Sequence, residues 1–121
     1  MHWRVVVVGD RAVAAYANPV AADDFRSFGS SDPADFTAAS TPRLAALAVA
    51  AVRALRVEFG GVDIFVHESG RLFRLEANFP CYFALAETVA GIPVAGAMID
   101  YLLAKARGAA MIFEAKPASL L

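Results

Sequence analysis

The sequence predicts an α+β fold in which antiparallel hairpins pack with two main helices. Strand-like and helix-like segments follow one another in the order β-β-loop-α-β-β-α. The strand-like segments occur in two pairs, each joined by a glycine-containing turn, and the two longest helix-like segments have apolar residues at helical spacing. A length of 121 residues suits one domain, and a hydrophobic share of 59% is ample for a core.

Charge and cysteine content exclude several classes of protein. Eleven basic and twelve acidic residues give a formal net charge of −1 without a basic stripe, so we expect no nucleic-acid partner. The longest apolar run, residues 44–52, is too short to span a bilayer, so we expect no membrane partner. The N-terminus lacks a signal-peptide pattern and the single cysteine cannot form an internal disulfide. Together these features predict a cytoplasmic protein.

The first third of the chain is predicted to contain one hairpin and a long loop. Val5–Val8 is β-branched and predicts a strand, and Ala12–Tyr16 predicts its return strand after a Gly-Asp turn. Residues 18–42 hold three prolines and predict a loop, within which residues 25–28 are a candidate short strand. Loops of this length inside a compact domain are more often functional than idle.

The remainder of the chain is predicted to contain a helix, a second hairpin and a final helix. Thr41-Pro42 predicts a helix start, with a hydroxyl cap before a proline at the first helical position. Val62–Val66 and Leu72–Ala77 predict the hairpin, and Val94–Arg107 predicts the last helix. One helical turn is expected between Ala84 and Ala90.

The second hairpin carries two facing carboxylates. A two-residue loop at Ser69-Gly70 places Asp63 opposite Glu76, and strand alternation puts Asn78 on the same face. Facing carboxylates repel, and a divalent cation removes that conflict, so Asp63→Asn is expected to raise stability in metal-free buffer. Two carboxylates and one carboxamide supply oxygen ligands that suit Mg²⁺. The alternative is that both carboxylates are solvated residues on the outer face of a sheet.

The other face of this hairpin is predicted to be the core side. Its members alternate with the polar residues along both strands. They are Val62, Ile64, Val66, Phe73, Leu75 and Ala77.

Five segments follow one another in an order that resembles a known family. They are Trp3–Gly9, Asp24–Ser27, Gly61–Ile64, Leu75–Asn78 and Thr88–Gly96. Together they resemble the closing half of ATP-grasp ligases, and within these the RimK-like group, which adds glutamate or similar amino acids to carboxylates. The resemblance implies an ATP-grasp C-terminal lobe over residues 3–107, followed by a tail of unassigned structure over residues 108–121.

The resemblance implies a metal and nucleotide site on the second hairpin. In the family, the aspartate, glutamate and asparagine of these segments hold Mg²⁺ ions that bridge the phosphates of ATP. That role falls here on Asp63, Glu76 and Asn78. The implied cofactor is Mg²⁺, with ATP as co-substrate.

The resemblance also implies basic and polar contacts to the nucleotide. Arg26 matches the family arginine near the phosphates and the reacting carboxylate, which makes it the candidate catalytic residue. Ser27 is expected beside the nucleotide, and Arg4 lies at a matching basic position. Considered without the resemblance, Arg26 is more typical of a loop arginine paired with Asp23 or Asp24, and Arg4 of an exposed residue at a strand start.

The implied reaction is phosphorylation of a carboxylate by ATP, followed by attack of an amine on the acyl phosphate. The implied partners are ATP, a carboxylate substrate and an amine substrate. Because the family places ATP between two lobes and this chain matches one, the missing N-terminal lobe or self-association is expected to complete the site. The alternative is a non-catalytic binding or assembly module that retains the half-fold. The chain departs from the family pattern at Phe28, where an asparagine is usual, and at the bulky segment 79–83.

Overall fold

One antiparallel sheet organises the part of the chain that the computed structural model describes, residues 1–18, 37–38 and 41–115. Its strand order is β3-β2-β1-β4-β5, and every neighbouring pair is antiparallel. Three helices pack on it, which confirms the predicted α+β class. The elements are β1 (His2–Val8), β2 (Arg11–Asn18), β3 (Thr37–Ala38), α1 (Pro42–Ala54), β4 (Phe59–Val66), β5 (Leu72–Asn78), α2 (Ala84–Ala90) and α3 (Val94–Ala115).

Strand β1 lies at the centre of the sheet and is covered on both faces. Val5, Val6 and Val7 have no exposed surface. Val5 and Val7 pack on one face of the sheet and Val6 packs on the other. A continuous β-branched run is typical of such a doubly buried strand. The strand begins earlier than predicted, because pairing with β2 and β4 extends to His2.

Helix α1 begins at the predicted residue and covers one face of the sheet, called the α1 face below. The Thr41 Oγ1 atom accepts a hydrogen bond of 3.3 Å from the backbone N of Leu44, and Pro42 opens the helix. The helix ends at Ala54, and Arg56 then adopts a φ of 57°. The buried helix residues are Leu44, Ala48, Ala51 and Val52. They form a hydrocarbon core with side chains from β1 and β4.

Helices α2 and α3 pack on the opposite face, called the α2 face below. The buried residues of this second cluster are Val6, Ala14, Tyr16, Cys81, Ala86 and Val94. Gly91 ends α2 with a φ of 66°, and the Glu87 Oε1 atom accepts a hydrogen bond of 2.9 Å from the backbone N of Ala95 at the start of α3. This carboxylate also suits the positive end of the α3 dipole. Helix α2 contacts β2 and β3, and helix α3 contacts β1 and β2.

Two features of the chain organisation differ from the prediction or add to it. Helix α3 continues to Ala115, beyond the predicted end at Arg107, so helix enters the predicted tail. Strand β3, which pairs with the outer edge of β2, was not predicted. The candidate strand at residues 25–28 lies outside the described residues. Among the described residues no single helix is long and apolar enough to cross a membrane, although α2 and α3, bent by 111° at their junction, pass that test as a pair.

Candidate functional site

A buried ion pair joins the two central strands on the α2 face. Arg4 of β1 pairs in register with Asp63 of β4. The Arg4 Nε atom donates to Asp63 Oδ1 at 2.5 Å, and Arg4 Nη2 donates to Asp63 Oδ2 at 2.9 Å. Asp63 is only 5% exposed and is the buried charged residue of the described part of the chain. A bidentate contact of this kind fixes both the position and the orientation of the guanidinium.

Gly61 leaves the space in which the Arg4 side chain lies. A Cβ atom built on Gly61 would lie 3.1 Å from Arg4 Cδ and 2.9 Å from Cys81 Cβ. Any larger residue would therefore push on both side chains. The glycine is required here by the close approach of the Arg4 and Cys81 side chains.

The environment of the pair keeps Arg4 charged and its neighbours neutral. Burial by itself lowers the pKa of Arg4, but the hydrogen bond and the negative charge of Asp63 outweigh it, so the pKa of Arg4 is raised. Burial raises the pKa of the Tyr16 hydroxyl and of the Cys81 thiol, although the charge of Arg4 opposes both shifts. Near neutral pH the pair thus has protonated phenol and thiol groups beside it.

Glu76 and Asn78 face the same side of the sheet from β5. Asp63 pairs in register with Glu76, and Gly61 pairs with Asn78. Residues directly opposite in an antiparallel pair point to the same face, so the prediction that Asp63, Glu76 and Asn78 lie on one face is confirmed. Glu76 is exposed and Asn78 is half-buried.

Asp63 pairs with Glu76 as predicted, but only because two departures from the predicted strand register cancel. The hairpin loop is not the predicted Ser69-Gly70, because the His67 N atom bonds to the Arg71 O atom at 2.9 Å and leaves three residues between them. This shifts the register by one. An irregularity between Asp63 and Ile64 then shifts it back, with one extra residue on β5.

Because of the same irregularity, the residues of β5 that face the core differ from those predicted. Phe73 pairs with Phe65, and their ring centroids lie 6.5 Å apart on the Asp63 side of the sheet. Phe73 is 40% exposed and Leu75 is 52% exposed, so neither is a core residue. Val62 and Ile64 are buried as predicted, and Ala77 packs against their cluster.

The structure contradicts the expected conflict between facing carboxylates. Arg4 neutralises Asp63, so the hairpin needs no metal to relieve repulsion between Asp63 and Glu76. Asp63→Asn would remove the negative charge that pairs with Arg4, so this change is expected to lower stability and not to raise it. Arg4 itself is not the exposed strand-start residue of the alternative interpretation, since its side chain is 12% exposed.

The oxygen atoms that could act as metal ligands in the site are compatible with a hard cation. Carboxylate and carboxamide oxygens are the ligands that Mg²⁺ prefers, and each carboxylate oxygen can accept more than the single bond that Arg4 donates to it. Among the described residues, no group of three or more His, Cys, Asp or Glu side chains could hold a metal ion. A metal site here would thus depend on Asn78 and on further ligands such as phosphate oxygens.

Several contributors to the site have weak or absent sequence signals. Arg26 and Ser27 lie outside the described residues. Gly61 was noted only as part of a segment that resembles the family, and Tyr16 was not predicted to matter, although the pairing of Arg4 with Tyr16 follows from the first hairpin once its register is known. Cys81 was predicted to be a buried or pocket-lining thiol, and it is buried.

The fold of the described residues is similar to part of several solved structures. The ATP-grasp ligase PsnB complexed with minimal precursor aligns with a TM-score of 0.68 and 24% identity, covering 87% of this chain and 34% of that one. PsnB complexed with a phosphomimetic variant of minimal precursor, Mg and ADP aligns with a TM-score of 0.67 and 21% identity, covering 87% and 32%. These likenesses establish the fold of an ATP-grasp ligase.

Sequence comparison then gives the family. The chain matches the RimK-like ATP-grasp domain over residues 1–102. It is 37% identical over 99 residues to a probable alpha-L-glutamate ligase of Xanthomonas campestris pv. campestris, covering 82% of this chain and 34% of the relative. It is 34% identical over 99 residues to the ribosomal protein bS6--L-glutamate ligase of Escherichia coli, covering 82% and 33%. This chain belongs to the RimK-like ATP-grasp family, and it spans about a third of the length of these relatives.

Proposed function

We propose that this chain forms the part of an ATP-grasp carboxylate–amine ligase that holds Mg²⁺ and the phosphates of ATP. The observation that supports this most directly is the arrangement on the α2 face, where Arg4 and Asp63 lie beside Glu76 and Asn78. A fixed positive charge on the same face as three side chains with oxygen atoms suits a metal–phosphate ligand. ATP-grasp ligases use both Mg²⁺ and ATP.

The proposed metal ligands are Asp63, Glu76 and Asn78. When bound, Mg²⁺ would neutralise charge on the phosphate oxygens. The register of β4 and β5 holds the three side chains on one face, so no rearrangement of the sheet is needed to present them. Glu76 is the most accessible of the three and is therefore expected to dominate the response to metal.

The proposed contacts to the phosphates are Arg4, Arg26 and Ser27. In the proposed reaction a substrate carboxylate oxygen attacks the γ-phosphorus, ADP leaves, and an acyl phosphate forms. An amine then attacks the acyl carbon and inorganic phosphate leaves, which forms the amide. Positioned guanidinium groups stabilise the charge on the transferred phosphoryl group. The names of the relatives favour glutamate as the amine.

The remaining part of the active site is proposed to come from further polypeptide. The chain spans about a third of its curated relatives, and it exposes large apolar side chains near the site. Three of these are Leu75, Phe79 and Tyr82, with exposures of 52%, 59% and 72%. A missing lobe or a second copy of the chain would cover them.

Calorimetric titration with Mg²⁺ and ADP tests the proposed binding. We expect a dissociation constant of about 1 mM, because the nucleotide is held at one end only. Glu76→Gln should abolish the heat, and Glu68→Gln, an exposed change in the turn of the same hairpin, should leave it unchanged. Equal binding by both variants would refute the proposed site. No binding by the parent chain would favour the non-catalytic module.

We expect the chain by itself to form no amide and release no phosphate. Rate enhancement in phosphoryl transfer depends on positioning and on exclusion of water, which a single lobe does not supply. A phosphate-release assay with a panel of amino acids measures this, with Glu76→Gln as the control. Turnover that depends on Glu76 would contradict the expectation and would indicate that copies of the chain assemble a full site.

A further inference from the structure

The α1 face carries an open groove between α1 and the start of β5, called the α1–β5 groove below. Its volume is about 580 Å³. Apolar and cationic residues line it together, namely Arg43, Ala46, Leu47, Ala50, Arg71 and Leu72. Asp63 and Glu76 lie on the other face of the sheet. A ligand in the groove would therefore not touch the carboxylates of the candidate site.

The floor of the groove is hydrocarbon that the described residues cover only in part. Leu47 and Leu72 pack against the buried cluster of the α1 face, and each keeps part of its surface open. Ala46 and Ala50 lie four positions apart on one side of α1, and both are exposed. Apolar side chains placed in this space would remove the open surface from water, which is favourable.

The charge around the groove is positive. Residues 41–57, which include all of α1, contain Arg43, Arg53 and Arg56 and no acidic residue. Arg43 lies in the first turn of the helix, where the helix dipole favours a negative charge. This part of the molecule is thus basic, although the whole chain has a formal net charge of −1.

Arg74 adds a further positive charge on this face, two positions after the last groove residue of β5. It pairs with Ile64, which belongs to the α1-face core, so the two side chains share that face. No carboxylate of the described residues forms an ion pair with Arg43 or Arg74. Arg71 contributes less charge to the groove, because its guanidinium carbon lies 5.1 Å from the centroid of the Phe73 ring.

We propose that the α1–β5 groove is a docking site for a segment of a partner protein that carries acidic residues beside apolar ones. Apolar side chains of the segment cover Leu47 and Leu72, and its carboxylates accept hydrogen bonds from Arg43 and Arg74. This role is independent of the proposed ligase function, because the groove and the candidate site lie on opposite faces.

Two other occupants fit the groove less well. A nucleic acid would pair with the arginines, but the six lining residues include no aromatic side chain on which a base could stack. A second copy of the chain, docked through the same groove, would bring two basic surfaces together, which is unfavourable. An acidic and apolar peptide satisfies both the charge and the floor.

Fluorescence anisotropy with a labelled peptide tests the docking site. The probe has two leucines flanked on each side by two glutamates. We expect the full 121-residue chain to bind it with a dissociation constant of about 100 µM, and the binding to weaken as salt is added. Peptides with glutamine in place of glutamate, or with serine in place of leucine, should each bind about tenfold more weakly. Equal binding of all three peptides, or no binding of the first, would overturn the proposal.

Ala50→Gln fills the groove without changing any charge, and glutamine is well tolerated at an exposed helix position. It should weaken binding of the probe about tenfold, because the longer side chain occupies the space over the floor. Ala54→Gln is the matched control, since Ala54 is exposed on the same helix but does not line the groove. Equal affinities of these two variants would contradict docking in the groove.

Arg43→Gln tests the contribution of charge. It should weaken binding of the probe about fivefold, which is the size of effect expected for an exposed ion pair. Arg107→Gln removes an exposed positive charge from α3 and should leave the affinity unchanged. An equal loss in both variants would show that the net charge of the chain governs binding, and the proposed site would then be wrong.

Three further measurements identify the occupant and its place. Mg²⁺ with ADP should not displace the probe, and Glu76→Gln should bind it as the parent chain does, since displacement or loss would move the binding to the α2 face and overturn the proposal. A labelled thymidine oligonucleotide should bind more weakly than the peptide, and tighter binding would make a nucleic acid the occupant. Light scattering should show no self-association that Ala50→Gln abolishes, because such an effect would make a second copy the occupant.

Discussion

The two faces of the sheet are built from different chemistry by the same two central strands. On the α1 face, β1 and β4 present only hydrocarbon side chains to the core. On the α2 face they present Arg4 and Asp63, with Tyr16 and Cys81 close by. Hydrocarbon burial is non-directional, whereas a buried ion pair requires both partners in a fixed geometry. The α1 face therefore contributes hydrocarbon burial alone, whereas the α2 face combines a second apolar cluster with an ion pair whose partners depend on each other.

Two adjacent glycines of β4 show this difference most directly. A Cβ on Gly60 would lie 2.9 Å from Val52 Cγ2, on the α1 face. A Cβ on Gly61 would lie 2.9 Å from Cys81 Cβ and close to Arg4, on the α2 face. The first glycine permits close packing of a helix, and the second permits an arginine to reach its partner.

The largest expected effect is on the α1 face. Ile64 is fully buried, so Ile64→Ala should lower the free energy of unfolding by about 4 kcal/mol through lost transfer energy and a residual cavity. Urea denaturation measures the loss. Leu103→Ala, which removes a side chain that is 48% exposed, should change stability by less than about 0.5 kcal/mol. A loss below about 1 kcal/mol for Ile64→Ala would show that this face does not dominate stability.

The next largest expected change in stability comes from the ion pair on the α2 face. Asp63→Asn should lower the free energy of unfolding by about 3 kcal/mol, because it removes the charge that compensates buried Arg4. Glu76→Gln is the control, since Glu76 is exposed and should tolerate the change. The double variant Arg4→Met with Asp63→Leu should regain most of the loss. A rise in stability for Asp63→Asn would mean that repulsion from Glu76 outweighs the ion pair.

Gly60→Ala should have a smaller effect that belongs to the α1 face alone. Overpacking against Val52 is expected to cost about 2 kcal/mol. The combination with Val52→Ala should cost less than the sum of the two single changes, because the second change makes room for the added methyl. Thermal unfolding of the parent chain, the two single variants and the double variant gives the coupling free energy between the two positions. Gly96→Ala, where the added Cβ makes ordinary contact with Pro93 at 3.6 Å, is the matched control.

The smallest expected effect is a pH dependence of stability that arises from the α2 face. Burial raises the pKa of the Cys81 thiol above its ordinary value of 9.0, despite the opposing charge of Arg4. The folded state then binds the proton more tightly than the unfolded state, so this contribution to stability is present below pH 9 and is lost as pH rises through the folded pKa. Cys81→Ala should flatten the decline in melting temperature between pH 8 and about 10. Ile64→Val should retain it, and an unchanged slope in Cys81→Ala would show that Cys81 does not cause the decline.

Much of the local structure could be predicted because it depends on neighbouring residues. The start of α1 at Pro42 follows from the cap at Thr41 and the fixed φ of proline. The valines of β1 indicate a buried strand without any tertiary information. The family resemblance was likewise carried by short ordered motifs, and the match over residues 1–102 confirms it.

The candidate site was only half predictable. Asp63, Glu76 and Asn78 face the same side, as the sequence predicts, but the loop and the register irregularity that produce this pairing were not foreseen. Such irregularities depend on how β5 accommodates the twist of the sheet, which single-strand periodicity does not contain. The roles of Arg26 and Ser27 remain predictions.

The sequence by itself determined the class of fold, the centre of the sheet and which side of the hairpin carries the acidic residues. These follow from the periodicity of apolar residues and from turn and cap chemistry, which act over a few positions. Only the tertiary structure decided that Arg4 pairs with Asp63. Arg4 and Asp63 lie 59 positions apart, and their contact exists because β1 and β4 pair in one register over a glycine that leaves room for the guanidinium.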